Sequence, residues 1–155
     1  MASPRRLLSE YGLAAKKNLG QNFLVDPNLA RKIVEKAEVA AGDAVLEIGP
    51  GLGALTRPLL EKGARVTAVE VDQGLCRYLR NELAPLFPAG LTLVEDDILE
   101  VDLAGLAEQN GGPVIVVGNL PYLVSTPVLF KLLEARRVVV RAVLMFQREL
   151  AARLT

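Results

Sequence analysis

At 155 residues, 51% hydrophobic and 23% charged, the chain is long enough to bury a core and reads as a single soluble globular domain. It lacks the unbroken stretch of about 18 apolar residues that spans a bilayer and has no apolar run behind Arg5 and Arg6 long enough for a secretory signal, so the expected compartment is the cytoplasm. Its 18 basic and 18 acidic side chains cancel, its single cysteine, Cys76, makes no internal disulfide, and it has no histidine, which removes the commonest general base and the commonest transition-metal ligand.

Asp26-Pro27 reads as an N-cap followed by proline in a first helical turn, and Leu29, Ile33, Val34 and Ala37 then recur at helical spacing, so a helix to about Ala40 is expected. Gly42-Asp43 turns the chain into a strand, Ala44–Ile48. Leu55, Leu59 and Leu60 predict a helix stopping at Gly63, where glycine suits a left-handed C-terminal position. The alternation continues with a strand Arg65–Val69, a helix Gln73–Ala84 with Cys76 on its apolar face, a strand Leu91–Val94 and a short helix Leu103–Glu108. Pro113–Val117 is a fourth strand, Ser125-Thr126-Pro127 is expected to cap a helix to about Ala135, and Val138–Phe146 is a fifth strand. Strands apolar on both faces that alternate with helices predict an α/β fold, doubly wound around a mainly parallel sheet. Residues 1–25 form a basic N-terminal segment, and no internal repeat or low-complexity tract interrupts the domain.

Four strand ends carry the chemistry-bearing residues. Glu47-Ile48-Gly49-Pro50-Gly51-Leu52-Gly53 joins the first strand to the next helix, where glycines let backbone approach a ligand at a helix N-terminus. Gly49-x-Gly51-x-x-Ala54 also fits the dinucleotide fingerprint, which keeps a nicotinamide oxidoreductase open. Glu70 ends the second strand about twenty residues later, where a carboxylate can accept from both hydroxyls of a ribose, whereas Asp72 reads as a solvated strand-end carboxylate. Glu95-Asp96-Asp97 ends the third strand; one of the three can accept from an adenine amine and the others are expected in solvent. A metal site is the rival reading of that cluster, but adjacent residues of an extended chain alternate direction and no histidine assists.

Gly118-Asn119-Leu120-Pro121-Tyr122 follows the fourth strand. The Asn119 side-chain oxygen and the Leu120 carbonyl can accept from an exocyclic amine while Tyr122 stacks on the ring. A turn with a purely conformational role is the alternative. Ligands of open α/β sheets bind along the carboxyl ends of the strands. A surplus of carboxylates in the central part, thirteen acidic against five basic side chains over residues 37–130, favours S-adenosylmethionine, which carries a sulfonium, over a pyrophosphate-bearing dinucleotide. The flanks are basic, with seven basic and three acidic side chains over residues 1–36 and six and two over 131–155. This suits a polyanion gripped by Arg5, Arg6, Lys16, Lys17, Arg136, Arg137, Arg141, Arg148 and Arg153, or simply solvated helix faces.

These motifs, together with Lys17-Asn18-Leu19-Gly20-Gln21-Asn22-Phe23-Leu24, Val69-Glu70-Val71-Asp72 and Gln147-Arg148-Glu149, stand in an order and spacing that resembles the KsgA-type rRNA adenine dimethyltransferases over nearly the whole chain. The resemblance implies a Rossmann-like methyltransferase fold and transfer of methyl groups from S-adenosylmethionine to N6 of two adjacent adenosines in small-subunit rRNA, an activity of ribosome biogenesis. It implies that Gln21, Asn22 and Leu24 line the methionine end of the cofactor, that Gly49 and Gly51 contact it, that Glu70 holds its ribose and that Asp97 meets its adenine. Asn119 would contact both cofactor and target amine, with Leu120, Pro121 and Tyr122 completing the target pocket. No metal is implied, and the expected partner is small-subunit rRNA or its precursor particle, met by a monomer without a membrane. Family members continue through further strands and a small helical domain, so residues 1–155 are expected to be the catalytic domain's N-terminal part, binding cofactor weakly and turning over little RNA. A non-catalytic RNA-binding assembly module on the same fold is the alternative.

Overall fold

The computed structural model describes residues 27–120 and 122–145, the side chains of residues 122–124 excepted. In chain order these are α1 (Pro27–Ala37), β1 (Ala44–Ile48), α2 (Thr56–Glu61), β2 (Arg65–Glu70), α3 (Gln73–Tyr78), β3 (Leu91–Glu95), α4 (Leu103–Gln109), β4 (Val114–Asn119), α5 (Tyr122–Glu134) and β5 (Val139–Met145). The strands form one sheet in the order β3-β2-β1-β4-β5, and every pairing is parallel. From β1 the chain winds outward through β2 and β3, then returns to the other side of β1 for β4 and β5. That reversal between β1 and β4 opens a crevice beyond their carboxyl ends.

Apolar side chains leave the sheet on both faces, as a doubly covered parallel sheet requires. Val45, Val66, Ala68, Ile115 and Val117 pack under α1, α2 and the residues after α3. Leu46, Ile48, Val69, Val114 and Val116 pack under α4 and α5. The buried stripe of α1, Ala30, Ile33, Val34 and Ala37, is the face its spacing promised. No helix among the described residues is long and apolar enough to cross a membrane.

Two helices differ from their sequence-based expectation. The helix opening at Gln73 leaves α-geometry after Tyr78, passes through a π-turn over Leu79–Leu83 and ends in a 3₁₀ turn at Ala84–Leu86. Pro85 has no N–H to continue the ladder. The widened turn also lays Leu79 and Leu83 on the glycine loop: a Cβ on Gly53 would stand 3.1 Å from Leu83 Cδ2. The helix expected to be capped by Ser125-Thr126-Pro127 instead starts at Tyr122 and contains Pro127. Ser125, Val128 and Leu132 are all buried, and the burial of that stripe offsets the one helical hydrogen bond that proline forfeits. Asp26 and Phe146, expected at element ends, lie outside the described residues.

The C-terminus of α1 is held from far along the chain. Glu38 adopts a left-handed φ of 51°, uncommon for a residue with a side chain. Arg141 on β5 donates to the Ala37 carbonyl at 2.6 Å and to the Glu38 carbonyl at 2.9 Å, supplying the cation and donors that a helix C-terminus favours. Arg141, expected as a phosphate contact, is therefore engaged within the fold.

Candidate active site

The sheet order sets the ends of β3, β2, β1 and β4 side by side, and a chain of short contacts joins them. The Asp96 N–H donates to the Glu70 carbonyl at 3.0 Å, and the Gly49 N–H donates to the Val69 carbonyl at 3.0 Å. A Cβ built on Gly49, whose φ is +67°, would lie 3.6 Å from the Asn119 carbonyl oxygen. Gly118 is more confined: its Cβ would stand 3.0 Å from the Ile48 carbonyl, so glycine there lets β4 close on β1. The loop after β1, the end of β2 and the end of β4 thus meet at one edge of the sheet.

Glu70 is the centre of this edge. It is 5% exposed, accepts from the Gly51 N–H at 3.3 Å through Oε1 and from the Asp72 N–H at 3.0 Å through Oε2. Burial pushes its carboxyl above the usual carboxylate range, against the backbone N–H groups of Asp72, Gly51 and Val71 and with the help of the neighbouring Asp72 carboxylate. The two oxygens hold different backbone donors, Gly51 and Asp72, and a carboxylate's lone pairs leave acceptor capacity for the hydroxyls of a vicinal diol. Val71, next in sequence, is 57% exposed, an apolar face on an otherwise polar rim. The sequence reading did not single it out, although a valine between two acids is itself a signal.

Asp72, expected to be solvated, is instead buried at 7% exposure and N-caps α3, accepting from the Leu75 N–H. Asp97 is half-buried and caps the 3₁₀ turn Ile98–Glu100, with Oδ1 accepting from the Leu99 N–H at 2.9 Å. It stands beyond Glu70 on the β3 side of the edge, and Glu95 and Asp96 are exposed as expected. Lys131 of α5 reaches the same turn, donating to the Leu99 carbonyl at 3.0 Å. Cys76 is buried, donates to the Glu70 carbonyl at 3.5 Å and is pushed up to about 12, chiefly by burial. It is a core thiol, not a nucleophile.

Asn119 is half-buried at the end of β4. Leu120 is 2% exposed, and its N–H donates to the Met145 carbonyl at 3.1 Å, which pins the residue after Asn119 to β5. Gln21, Asn22, Leu24 and Pro121 lie outside the described residues, as does the side chain of Tyr122, whose backbone opens α5. Of the basic residues expected on RNA, Arg136 and Arg137 are exposed, and Arg5, Arg6, Lys16, Lys17, Arg148 and Arg153 fall outside the description.

Glu47 opens the glycine motif in the sequence, where nothing assigns it a role of its own. It is 1% exposed and accepts a hydrogen bond from the Thr56 hydroxyl. Burial pushes it up to about 8, the Thr56 hydroxyl pulling the other way and the Glu70 carboxylate adding to burial. The available signal was an acid at an inward-facing position among alternating core residues.

A parallel sheet of this order, with a glycine-rich turn after β1 and a buried acid ending β2, defines a Rossmann-like nucleoside-binding domain. The chain belongs to the ribosomal RNA adenine dimethylase family, whose model matches residues 12–155. It is 52% identical over 148 residues to ribosomal RNA small subunit methyltransferase A of Magnetococcus marinus, covering 96% of this chain and 52% of that protein. It is 54% identical over 142 residues to the same-named protein of Prosthecochloris aestuarii, covering 92% and 52%. Among solved structures it resembles a dimethyladenosine transferase from Plasmodium falciparum, with TM-score 0.72 and 30% identity over 86% of this chain and 46% of that one. It also resembles the 23S rRNA methyltransferase ErmE, with TM-score 0.70 and 32% identity over 84% and 50%. The chain spans about half the length of the curated relatives it matches.

Proposed function

We propose that this chain is the S-adenosylmethionine-binding part of a methyltransferase that dimethylates N6 of adenosines in small-subunit rRNA. The observation that carries the reading is the meeting of the Glu70 carboxylate, the Gly49–Gly53 loop and Asn119 at one edge of the sheet. The cofactor's fit rests on the same residues. Glu70 would accept from the ribose hydroxyls, the exposed Val71 offers an apolar face to adenine, and Asp97, after the end of β3, would accept from the base's amine. Glycine at 49 leaves the cradle between β1 and β4 open where a side chain would fill it. Gln21, Asn22 and Leu24 would receive the methionine end, as the family resemblance implies.

When bound, S-adenosylmethionine supplies an electrophilic methyl on a sulfonium. The chain's own residues then have to make adenine N6 nucleophilic, because its lone pair is delocalised into the ring. The Asn119 amide oxygen and the Leu120 carbonyl accept from the N6 hydrogens and turn that lone pair toward the methyl. Leu120 suits this role because its own N–H is fixed to Met145. No general base is required: the proton leaves to water after N6 gains its methyl, which accords with a chain lacking histidine. The target base has to leave its stack, and, as the family resemblance implies, Tyr122 would receive it, with Pro121 completing the pocket. Exposed Arg136 and Arg137, with the basic N-terminal segment, are the phosphate contacts. The relatives named small-subunit methyltransferases support small-subunit rRNA as the partner; on this reading it is met in a precursor particle in the cytoplasm, by a monomer.

Unmethylated small-subunit particles incubated with methyl-labelled S-adenosylmethionine and this chain test the reading by nucleoside analysis. A low level of label in N6-methylated adenosine, as expected of a chain that turns over little RNA, that disappears with Asn119→Ala supports it. Label in another nucleoside, or transfer indifferent to Asn119→Ala, refutes it.

A further inference from the structure

One bond closes the glycine loop and takes no part in the chemistry above. Glu47 leaves β1 on the face it shares with Val45, beneath α1, α2 and the Leu79–Leu83 turn, with Ala68 and Val117 as its neighbours across the sheet. Thr56, the first residue of α2 and 0% exposed, donates its hydroxyl to Glu47 Oε1 across nine positions of sequence. The Gly49–Gly53 loop lies between them. Its three glycines take positive φ values of 67°, 57° and 88°, so the backbone there has wide freedom to lose. The Gly51 N–H bond to Glu70 is long, at 3.3 Å. Backbone bonds hold parts of the loop, from Gly49 N–H to the Val69 carbonyl, Gly53 N–H to the Pro50 carbonyl and Arg57 N–H to the Gly53 carbonyl; the buried Thr56–Glu47 bond is the side-chain tie that joins the strand before the loop to the helix after it.

The geometry points to Glu47 as a positioning residue: through Thr56 it sets the shape of the glycine loop against Glu70 and Asn119, and so the loop's fit to the cofactor. The inference rests on the reading that this loop holds S-adenosylmethionine.

The chemistry of the site gives the tie a pH dependence. Among the described residues, a carboxylate in this setting would be buried without a cation. Arg57 of α2 lies 3.4 Å from Glu61, Arg141 of β5 is bound to the end of α1, and Tyr78 is itself pushed up by burial. Arg31, Lys32 and Lys36 of α1 are exposed, and the acids Glu70 and Asp72 face the same edge. Glu47 is therefore the neutral acid at neutral pH, and as pH rises through about 8 it becomes a buried charge that must find water. Moving it toward water pulls on Thr56 and opens the loop. Glutamine keeps an oxygen for the Thr56 hydroxyl and never ionises.

The test is the dissociation constant of S-adenosylmethionine from pH 6.5 to 9.5 for the unsubstituted chain, Glu47→Gln, Glu47→Ala and Thr56→Val, with amide hydrogen exchange over residues 49–56 in the cofactor-free proteins. Glu47→Ala and Thr56→Val are expected to weaken binding about tenfold, the scale of a lost buried hydrogen bond, and to speed exchange in the loop. Their combination adds little to either. Glu47→Gln is expected to bind like the unsubstituted chain at pH 7 and to lose its extra weakening on the alkaline side; titration of the ligand's own amine is common to both. Glu47→Gln binding as poorly as Glu47→Ala, an alkaline profile identical in both, or unchanged loop exchange in Thr56→Val overturns the inference. Failure of the unsubstituted chain to bind S-adenosylmethionine refutes the functional reading and the cofactor role of Glu47 with it. Loop exchange in Glu47→Ala then still reports whether the tie itself exists.

Discussion

Replacing Glu70 with alanine removes the only side chain that reaches both the glycine loop and the turn after β2 among the described hydrogen bonds. In the proposed complex it also deletes the acceptor of two ribose hydroxyls. Hydrogen bonds to a charged group contribute about 1.5–3 kcal/mol each, and water entering the vacated space returns part of that. A net loss of about 1–3 kcal/mol corresponds to roughly 5- to 150-fold weaker binding. Glu70→Gln keeps one acceptor oxygen and is expected between the two. Titration calorimetry with S-adenosylmethionine at pH 7.5 measures the loss, and thermal unfolding establishes that the variant is folded. The 2′-deoxy analogue makes the assignment specific: it should bind the unsubstituted chain more weakly than the natural ligand, yet bind Glu70→Ala no worse than the natural ligand does. Because burial raises the Glu70 carboxyl, affinity for the ribose is expected to fall on acidification at a pH above the ordinary carboxylate range, and Glu70→Gln should not show that fall. A folded Glu70→Ala chain with an unchanged dissociation constant would refute the ribose assignment.

Four further variants probe the frame around the site and the basic surface beside it. Gly118→Ala puts a Cβ 3.0 Å from the Ile48 carbonyl and 3.2 Å from Ile48 Cβ, forcing β1 and β4 apart; a loss of about 1–3 kcal/mol in urea unfolding is expected, and an unchanged midpoint would show that the strands yield freely. Arg141→Met removes both donors to the end of α1 and should cost about 1–3 kcal/mol while leaving the salt dependence of RNA binding as it was. Arg136→Ala with Arg137→Ala should instead reduce that slope. Glu47→Gln separates stability from pH. The folded value near 8 exceeds the unfolded 4.5, so the acid form's contribution is complete below about 4.5 and is lost as pH rises toward 8. The unsubstituted chain should therefore lose about 1.4 kcal/mol per pH unit relative to Glu47→Gln across that window, on the order of 3 kcal/mol between pH 5 and 7.5 in urea unfolding. Parallel curves would place the Glu47 carboxyl in contact with water.

Five strands were legible to within a residue or two because each is a short apolar run bounded by glycine, proline or acids, and their alternation with helices dictates a parallel sheet. The acid ending β2 and the glycines after β1 were legible too, since their spacing along the chain maps directly onto neighbouring strand ends. What escaped depends on contacts that sequence distance conceals. Arg141 and Ala37 are 104 positions apart, and nothing local distinguishes an arginine that caps a helix from one that meets a phosphate. Asp72 and Glu70 carry the same charge two residues apart, yet one caps a helix while the other faces the crevice, a division set by the end of β2 at Glu70 and the start of α3 at Gln73. Pro127 reads as a boundary because proline usually is one, whereas here the buried face of Ser125, Val128 and Leu132 outweighs its missing donor. Glu47 needed both its inward orientation and the position of Thr56 to be read.

The most direct measurement is a paired calorimetric titration of this chain with S-adenosylmethionine and with NADH. Binding of S-adenosylmethionine at one site, greatly weakened in Glu70→Ala and without a counterpart for NADH, is the expected result. A folded chain that binds NADH and not S-adenosylmethionine would contradict the assignment of the Gly49–Gly53 loop, Glu70 and Asn119 as a methyl-donor site.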